Sequence, residues 1–117
     1  MSTEALLAAA LQALCPRVFP DVADLATTRP YVTYQFIGGQ SARYLDGAPA
    51  DQRNSLVQIN VWDTLRADVN TLARAIEDAL CTAPAFTARP MGEPMHSFDQ
   101  DLGLRGTAQT FSVWAPR

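Results

Sequence analysis

Two segments of the chain carry apolar side chains at the spacing of an amphipathic helix. In the first, the apolar positions are Leu6, Leu7, Ala10, Leu11 and Leu14. In the second, they are Leu65, Val69, Leu72, Ala73, Ile76, Ala79 and Leu80. Ser2 or Thr3 can cap the first helix, and Asp63 or Thr64 the second. Because proline cannot continue a helix, Pro16 and Pro84 mark their ends. The pattern predicts two helices, each with one face on a core.

Other segments alternate between apolar and polar residues, as strands with one buried face do. The clearest runs from 55 to 62, where Val57, Ile59 and Val61 alternate with Gln58 and Asn60. Residues 31–37 and 105–114 are also rich in β-branched and aromatic side chains, which favour strands. Residues 86–89 begin a further strand, which prolines and a glycine interrupt before it resumes at 95–98. We read this interrupted segment as a bulged or edge strand.

The predicted order is α-β-β-α-β-β, within a single domain over residues 1–117. Strands joined by turns pair antiparallel, so we expect an α+β fold with an antiparallel sheet and two helices packed on one face. Residues 16–30 form a connector in which Val18 and Phe19 are pinned to the core. Residues 38–54 form a long loop or an extended hairpin tip, and loops of this length tend to be functional.

Composition and charge exclude several classes of function. With 48% hydrophobic and 18% charged residues, the chain is too apolar to be disordered. Its net charge is −3, every basic residue is arginine, and no three lie together, so we expect no specific nucleic-acid binding. No stretch is long and apolar enough to span a bilayer, and no basic region precedes the first helix, so we expect no membrane association and a cytoplasmic protein. Cys15 and Cys81 are expected to be free thiols rather than a disulfide.

The sequence offers no set of residues for catalysis, a metal or a cofactor. His96 is the lone histidine; the enzymatic alternative is a small hydrolase or ligand-binding domain that uses His96 with Asp99 or Asp101. A strand histidine without a catalytic role is the favoured interpretation. Asp99, Asp101 and Gly103 resemble the start of a calcium loop, but Thr110 stands where such a loop needs a glutamate, so we predict a hairpin turn.

The remaining unusual residues are arginines and aromatic side chains outside the predicted core. These residue types are enriched at protein–protein interfaces. For Trp62 and Trp114, two interpretations are equally favoured. One is a role in an interface, and the other is packing under the helices or at the edge of the sheet. The candidate subunit-interface residues are Arg43, Tyr44, Leu45, Arg53, Trp62 and Trp114.

Several segments, taken in order, resemble the small tail-completion (tail-terminator) proteins of long-tailed bacteriophages and prophages. They are residues 17–20 (RVFP), 30–34 (PYVTY), 57–62 (VQINVW), the helix that follows, 99–105 (DQDLGLR) and 111–114 (FSVW). The resemblance covers nearly the whole chain.

It implies a structural protein that forms a ring, commonly of six subunits, on the head-proximal end of the tail tube. Its implied partners are other copies of itself, the major tail tube protein and the head–tail connector. It would act in the host cytoplasm during assembly and in the virion tail. The alternative within the same module is a head–tail joining protein.

Overall fold

The computed structural model of the protein describes residues 2–24, 26–41, 43–48 and 51–117. These residues form two helices and six strands. In chain order they are α1 (Thr3–Gln12), β1 (Val18–Pro20), β2 (Tyr31–Phe36), β3 (Gln52–Asp63), α2 (Arg66–Thr82), β4 (Thr87–Pro90), β5 (Met95–Asp99) and β6 (Leu104–Pro116). The α+β class predicted from the sequence is confirmed.

The sheet is built around a long antiparallel pair, β3 and β6. Their register runs from Gln52 opposite Pro116 to Asp63 opposite Arg105. On one side the order continues to β2 and β1, and on the other side β4 and β5 both pair with β6. The two short strands lie end to end along β6, β4 beside its second half and β5 beside its first half. They are the interrupted edge strand that the sequence predicts.

Proline shapes the outer edge of β4. The backbone N–H of Met91 donates to the Thr110 carbonyl at 2.9 Å, so it points inward to β6. Since neighbouring residues of a strand point their backbone groups to opposite sides, the nitrogen of Pro90 lies on the outer side, where it has no proton to donate. Pro94 stands just before β5 on the same edge.

The expectation of a purely antiparallel sheet is wrong at the other edge. β1, which the sequence pattern left within a connector, pairs in parallel with β2, with Val18 opposite Val32 and Pro20 opposite Tyr34. Three residues are too few to show alternation, and Pro20 within the strand argues against one. A short edge strand tolerates that proline because an edge strand has one side without a ladder.

Both helices pack on one face of the sheet, as predicted. The side chains that meet there form one buried cluster, in which Phe111 of β6 is 0% exposed. Its members from the two helices are Leu7, Leu11, Val69, Ala73, Ile76 and Leu80. Those from the two long strands are Val57, Ile59, Val61, Phe111, Val113 and Ala115. Each large member contributes about 1.5–3 kcal/mol of hydrophobic stabilisation.

The helix ends differ in part from the prediction. Ser2 caps α1, since its hydroxyl accepts a hydrogen bond from the Ala5 N–H at 3.1 Å. In α2 the expected cap at Asp63 or Thr64 is wrong, because β3 continues through Asp63 and the N-cap position falls on Leu65. Leu65 is therefore 62% exposed and lies outside the core. Neither helix of the described chain is long and apolar enough to cross a membrane.

The two cysteines are free thiols, as predicted. Cys15 lies buried after α1, where its thiol points to the carbonyls of Arg17 and Pro30 at 3.7 and 3.6 Å. Cys81 is exposed near the end of α2.

Candidate assembly surfaces

The face of the sheet opposite the helices, here called the open face, is polar and aromatic. It consists of the residues that alternate with the core positions on the central strands. These are Asn54, Leu56, Gln58, Asn60 and Trp62 on β3, with Gly106, Ala108, Thr110, Ser112 and Trp114 on β6. In the described chain both helices pack on the other face, so the alternative that the tryptophans lie beneath the helices is wrong. Neither are they at an edge, because β3 and β6 are the central strands.

The two tryptophans lie far apart on the open face. Trp62 is opposite Gly106, and Trp114 is opposite Asn54. Gly106 and Trp114 are separated by about eight residues of one strand, or roughly 26 Å at the rise of an antiparallel strand. The structure therefore presents two separate aromatic positions on this face rather than one patch.

Residues 43–48 form a tight turn at the tip between β2 and β3, here called the tip turn. The Tyr44 N–H donates to the Ala48 carbonyl at 2.8 Å, and the Gly47 N–H donates to the Tyr44 carbonyl at 2.9 Å. The Asp46 carboxylate accepts from the Ala48 N–H at 2.9 Å. These bonds close the turn around Leu45, which is 110% exposed, and Tyr44, which is 51% exposed. Two large apolar side chains are thus displayed in solvent by an ordered backbone.

Beside the tip turn, three arginines line one small cleft, here called the arginine cleft. Arg43 comes from the tip turn, Arg53 from β3 and Arg117 from the residue after β6. The cleft has a volume of about 140 Å³, and its other walls are the polar side chains of Gln40, Ser41 and Gln52. Sequence reasoning found Arg43 and Arg53 but missed Arg117. The β3–β6 register brings it there, and the Arg117 N–H donates to the Asp51 carbonyl at 2.9 Å.

At the opposite end of β6, residues 99–103 form the hairpin to β5, here called the acidic hairpin. The Asp99 carboxylate accepts from the N–H groups of Asp101 and Leu102, both at 3.1 Å. Gly103 has a φ of 65°, which glycine adopts without strain. The predicted hairpin turn is confirmed. Among the described residues, no three histidine, cysteine or carboxylate side chains gather as metal ligands do.

His96 lies in a half-open cleft of about 220 Å³ between α2 and the β4–β5 edge. The cleft brings it near Glu77 and Glu93, and the Glu77 carboxylate already accepts a 2.6 Å hydrogen bond from the Gln109 amide. Asp99 lies three residues along the same strand, so its side chain is on the other face of the sheet. The suggested pairing of His96 with Asp99 is therefore wrong, and Asp101 belongs to the acidic hairpin beyond the strand.

Comparison with known proteins gives one family and a matching fold. The family model described as tail completion protein gp17 matches residues 3–114. No curated protein sequence matches at the stringency applied. Among solved structures, a chain of the "Virion of native gene transfer agent (GTA) particle" is similar with a TM-score of 0.63. The match covers 99% of this chain and 96% of that chain at 14% identity, a level at which the similarity shows the fold alone.

Proposed function

We propose that this chain, which belongs to the tail completion protein gp17 family, caps the head-proximal end of a phage tail tube and joins the tube to the head connector. The role of a structural component of a phage tail follows from the family itself. The match over residues 3–114 is the observation that carries the proposal.

The proposed assembly is a ring of six copies, formed in the host cytoplasm on the end of a finished tube. Closed rings need two different surfaces on each subunit, one for each neighbour. The described chain has distinct surfaces of this kind at its two ends: the tip turn with the arginine cleft, and the acidic hairpin. A ring also needs surfaces for the tube and the connector, and the open face with Trp62 and Trp114 is available for one of them.

The shape of the tip turn supports a role in contact rather than in folding. Leu45 is fully exposed and Tyr44 is half exposed, so burial of these two side chains within their own chain is incomplete and much of their apolar area remains in solvent. Large exposed apolar side chains on an ordered turn are typical of contact sites, since burying them against a partner regains the hydrophobic free energy.

Deleting the gene and examining the lysate by electron microscopy tests the function. We expect tails of abnormal length that lack heads, because nothing stops tube growth or presents a surface to the connector. Expression of the wild-type chain from a plasmid should restore normal particles. Tails of uniform, normal length without the protein would show that it does not cap the tube.

A binding experiment separates capping from the related role of a head–tail joining protein. Purified protein is mixed with headless tails and, separately, with tailless heads. A capping protein binds the ends of tails, whereas a joining protein binds heads alone. The variant His96→Ala serves as a control for the enzymatic alternative, and we expect it to bind and assemble as the wild type does.

A further inference from the structure

We propose that the arginine cleft of one subunit receives the acidic hairpin of a second copy of the same chain. The inference rests on the self-assembly proposed above and names the contact that drives it. The carboxylate of Asp101 would enter the cleft and bind the guanidinium groups of Arg53 and Arg117.

The cleft has the chemistry of a carboxylate site. Arginine presents its N–H groups in a planar fork that matches a carboxylate, and paired bonds of this kind are among the strongest between side chains. Three of the nine arginines of the chain line this cleft. Within the described chain, the guanidinium of Arg43 donates a long bond of 3.4 Å to the Gly47 carbonyl, while those of Arg53 and Arg117 make no hydrogen bond. Among the residues that the structure describes, their donors are thus left for another molecule.

The acidic hairpin also offers a carboxylate that has no hydrogen-bond partner among the described residues. Asp99 uses its carboxylate to hold the turn, whereas the exposed Asp101 has no hydrogen bond to its side chain in the described residues. A four-residue turn between two strands is narrow, and a cleft of about 140 Å³ has room for the carboxylate at its tip. Size and charge therefore match.

The positions of the two features make the contact one between different molecules. β6 begins beside the acidic hairpin and ends beside Arg117, and its 13 residues extend roughly 40 Å. The chain itself is 52 Å along its longest axis and 24 Å across. A subunit cannot bend to fill its own cleft, so a hairpin that enters it belongs to another copy, and repetition of this head-to-tail contact builds a ring or a line.

Nucleic acid is the other partner that three arginines suggest, and the surroundings disfavour it. Glu4 lines the groove on the other side of Arg53, and Asp46 and Asp51 flank the cleft in the chain. A phosphate backbone would meet these carboxylates over several nucleotides, and the net charge of −3 adds to the repulsion. A single carboxylate on a narrow hairpin reaches the arginines without passing over these acidic side chains.

Two charge-reversed variants test the contact. We expect Arg53→Glu and Asp101→Arg each to lose self-association, measured by sedimentation velocity at low salt. Mixed in equal amounts, they should associate again, because the two substituted side chains have opposite charges when they face each other, as the two wild-type side chains do. The matched controls are Arg74→Glu on α2 and Asp24→Arg in the connector, both exposed, which should associate as the wild type does.

A disulfide trap makes the test independent of the strength of association. Arg53→Cys and Asp101→Cys, each combined with Cys81→Ser, are placed on chains of different mass and mixed under mild oxidation. The contact predicts a reducible product containing one of each chain. No such product, together with no recovery of association on mixing, overturns the proposed contact, even where the wild type still caps tails. Arg53-dependent binding of a short DNA duplex, without the mixed product, overturns it in favour of nucleic acid.

Discussion

Gly106 lies on β6 with the ring of Trp62 on one side and the Ser97 hydroxyl on the other. A Cβ atom added to it would stand 2.7 Å from the Trp62 ring and 2.9 Å from the Ser97 oxygen. Both distances are shorter than van der Waals contact, so the ring or the strand must move. The residue is thus required by the packing of its neighbours and not by its own backbone angles.

We expect Gly106→Ala to destabilise the protein by about 1–3 kcal/mol, as overpacking does. Urea unfolding monitored by circular dichroism measures the change. In the background of Trp62→Ala, where the ring is gone, the same substitution should cost less. Equal costs in the two backgrounds would show that the close approach does not limit the packing.

Tyr34 gives the molecule a dependence on alkaline pH. It is 5% exposed, and this burial, with smaller contributions from Glu4 and Asp21, raises the pKa of its phenol above the ordinary value. The folded state therefore favours the neutral phenol more than the unfolded state does. The resulting stability is fully present below about pH 10, the ordinary tyrosine pKa, and is lost as the pH rises through the higher folded value.

Unfolding free energies measured across this alkaline range should fall more steeply for the wild type than for Tyr34→Phe. Burial raises the pKa of Tyr31 too, so a residual slope remains in the variant. Parallel curves for the two proteins would contradict the assignment to Tyr34.

Single residues also show how far sequence reasoning reaches. The exposure of Tyr44 and Leu45 was predicted because they lie in a glycine-bounded loop without core periodicity. Arg117 could not be assigned to the same site, since its place depends on the register of β3 with β6, which no local pattern encodes. The nearness of His96 and Asp99 in the chain suggests that they act together, but strand geometry points their side chains to opposite faces of the sheet.

At the scale of elements, long hydrophobic patterns predict the helices and strands correctly, whereas short patterns do not. The core positions of β3 alternate from Val57 to Val61, and those of α2 recur along the helix from Val69 to Leu80. β1 has three residues and a proline, so its parallel pairing follows from the path of the connector and not from composition. The start of α2 was misplaced because β3 extends through Asp63 and takes the residue expected to cap the helix.

Arg66 fixes the start of α2 in place of a side-chain cap. Its guanidinium donates to the Gly106 carbonyl at 2.8 Å and to the Ser97 carbonyl at 3.0 Å. Two strands of the sheet are thereby joined to the first turn of the helix by one side chain. The geometry requires a fork of donors, which lysine lacks.

We expect Arg66→Ala to lower the unfolding free energy by about 1–3 kcal/mol, the range for losing hydrogen bonds to a charged group. Arg66→Lys should restore only part of that loss. The exposed Arg74→Ala on the same helix is the control and should change stability little. Hydrogen exchange of the first turn of α2 reports the local effect, and unchanged protection in Arg66→Ala would contradict it.

For the whole molecule, the residues that stabilise the fold are distinct from those proposed for assembly. The stability resides in the cluster between the helices and the sheet, while the tip turn extends away from it. The sequence leads to the same proposal, because the residues left over after the core is assigned are aromatic side chains and arginines. The order of the strands in the sheet does not follow from the sequence pattern, since pairing between distant segments depends on the complete packing.

Replacement of both Tyr44 and Leu45 by serine tests whether the tip turn serves assembly and not folding. We expect the unfolding free energy to change by no more than about 1 kcal/mol, because Leu45 is fully exposed and Tyr44 half exposed. Tail capping in a complementation assay should nevertheless be lost. The matched control replaces by serine the exposed Val22, which is not part of the tip turn. Normal tails from the double variant would remove these residues from the contact surface.

The proline on the outer side of β4 affects how free subunits can pair with one another through their backbones. A stray strand from another copy would find the row of donors broken at Pro90 and again at the break before β5, so it could not extend an amyloid-like stack along this edge. Pairing of two copies through their backbones is therefore disfavoured along this edge, which leaves side chains as the means of contact there.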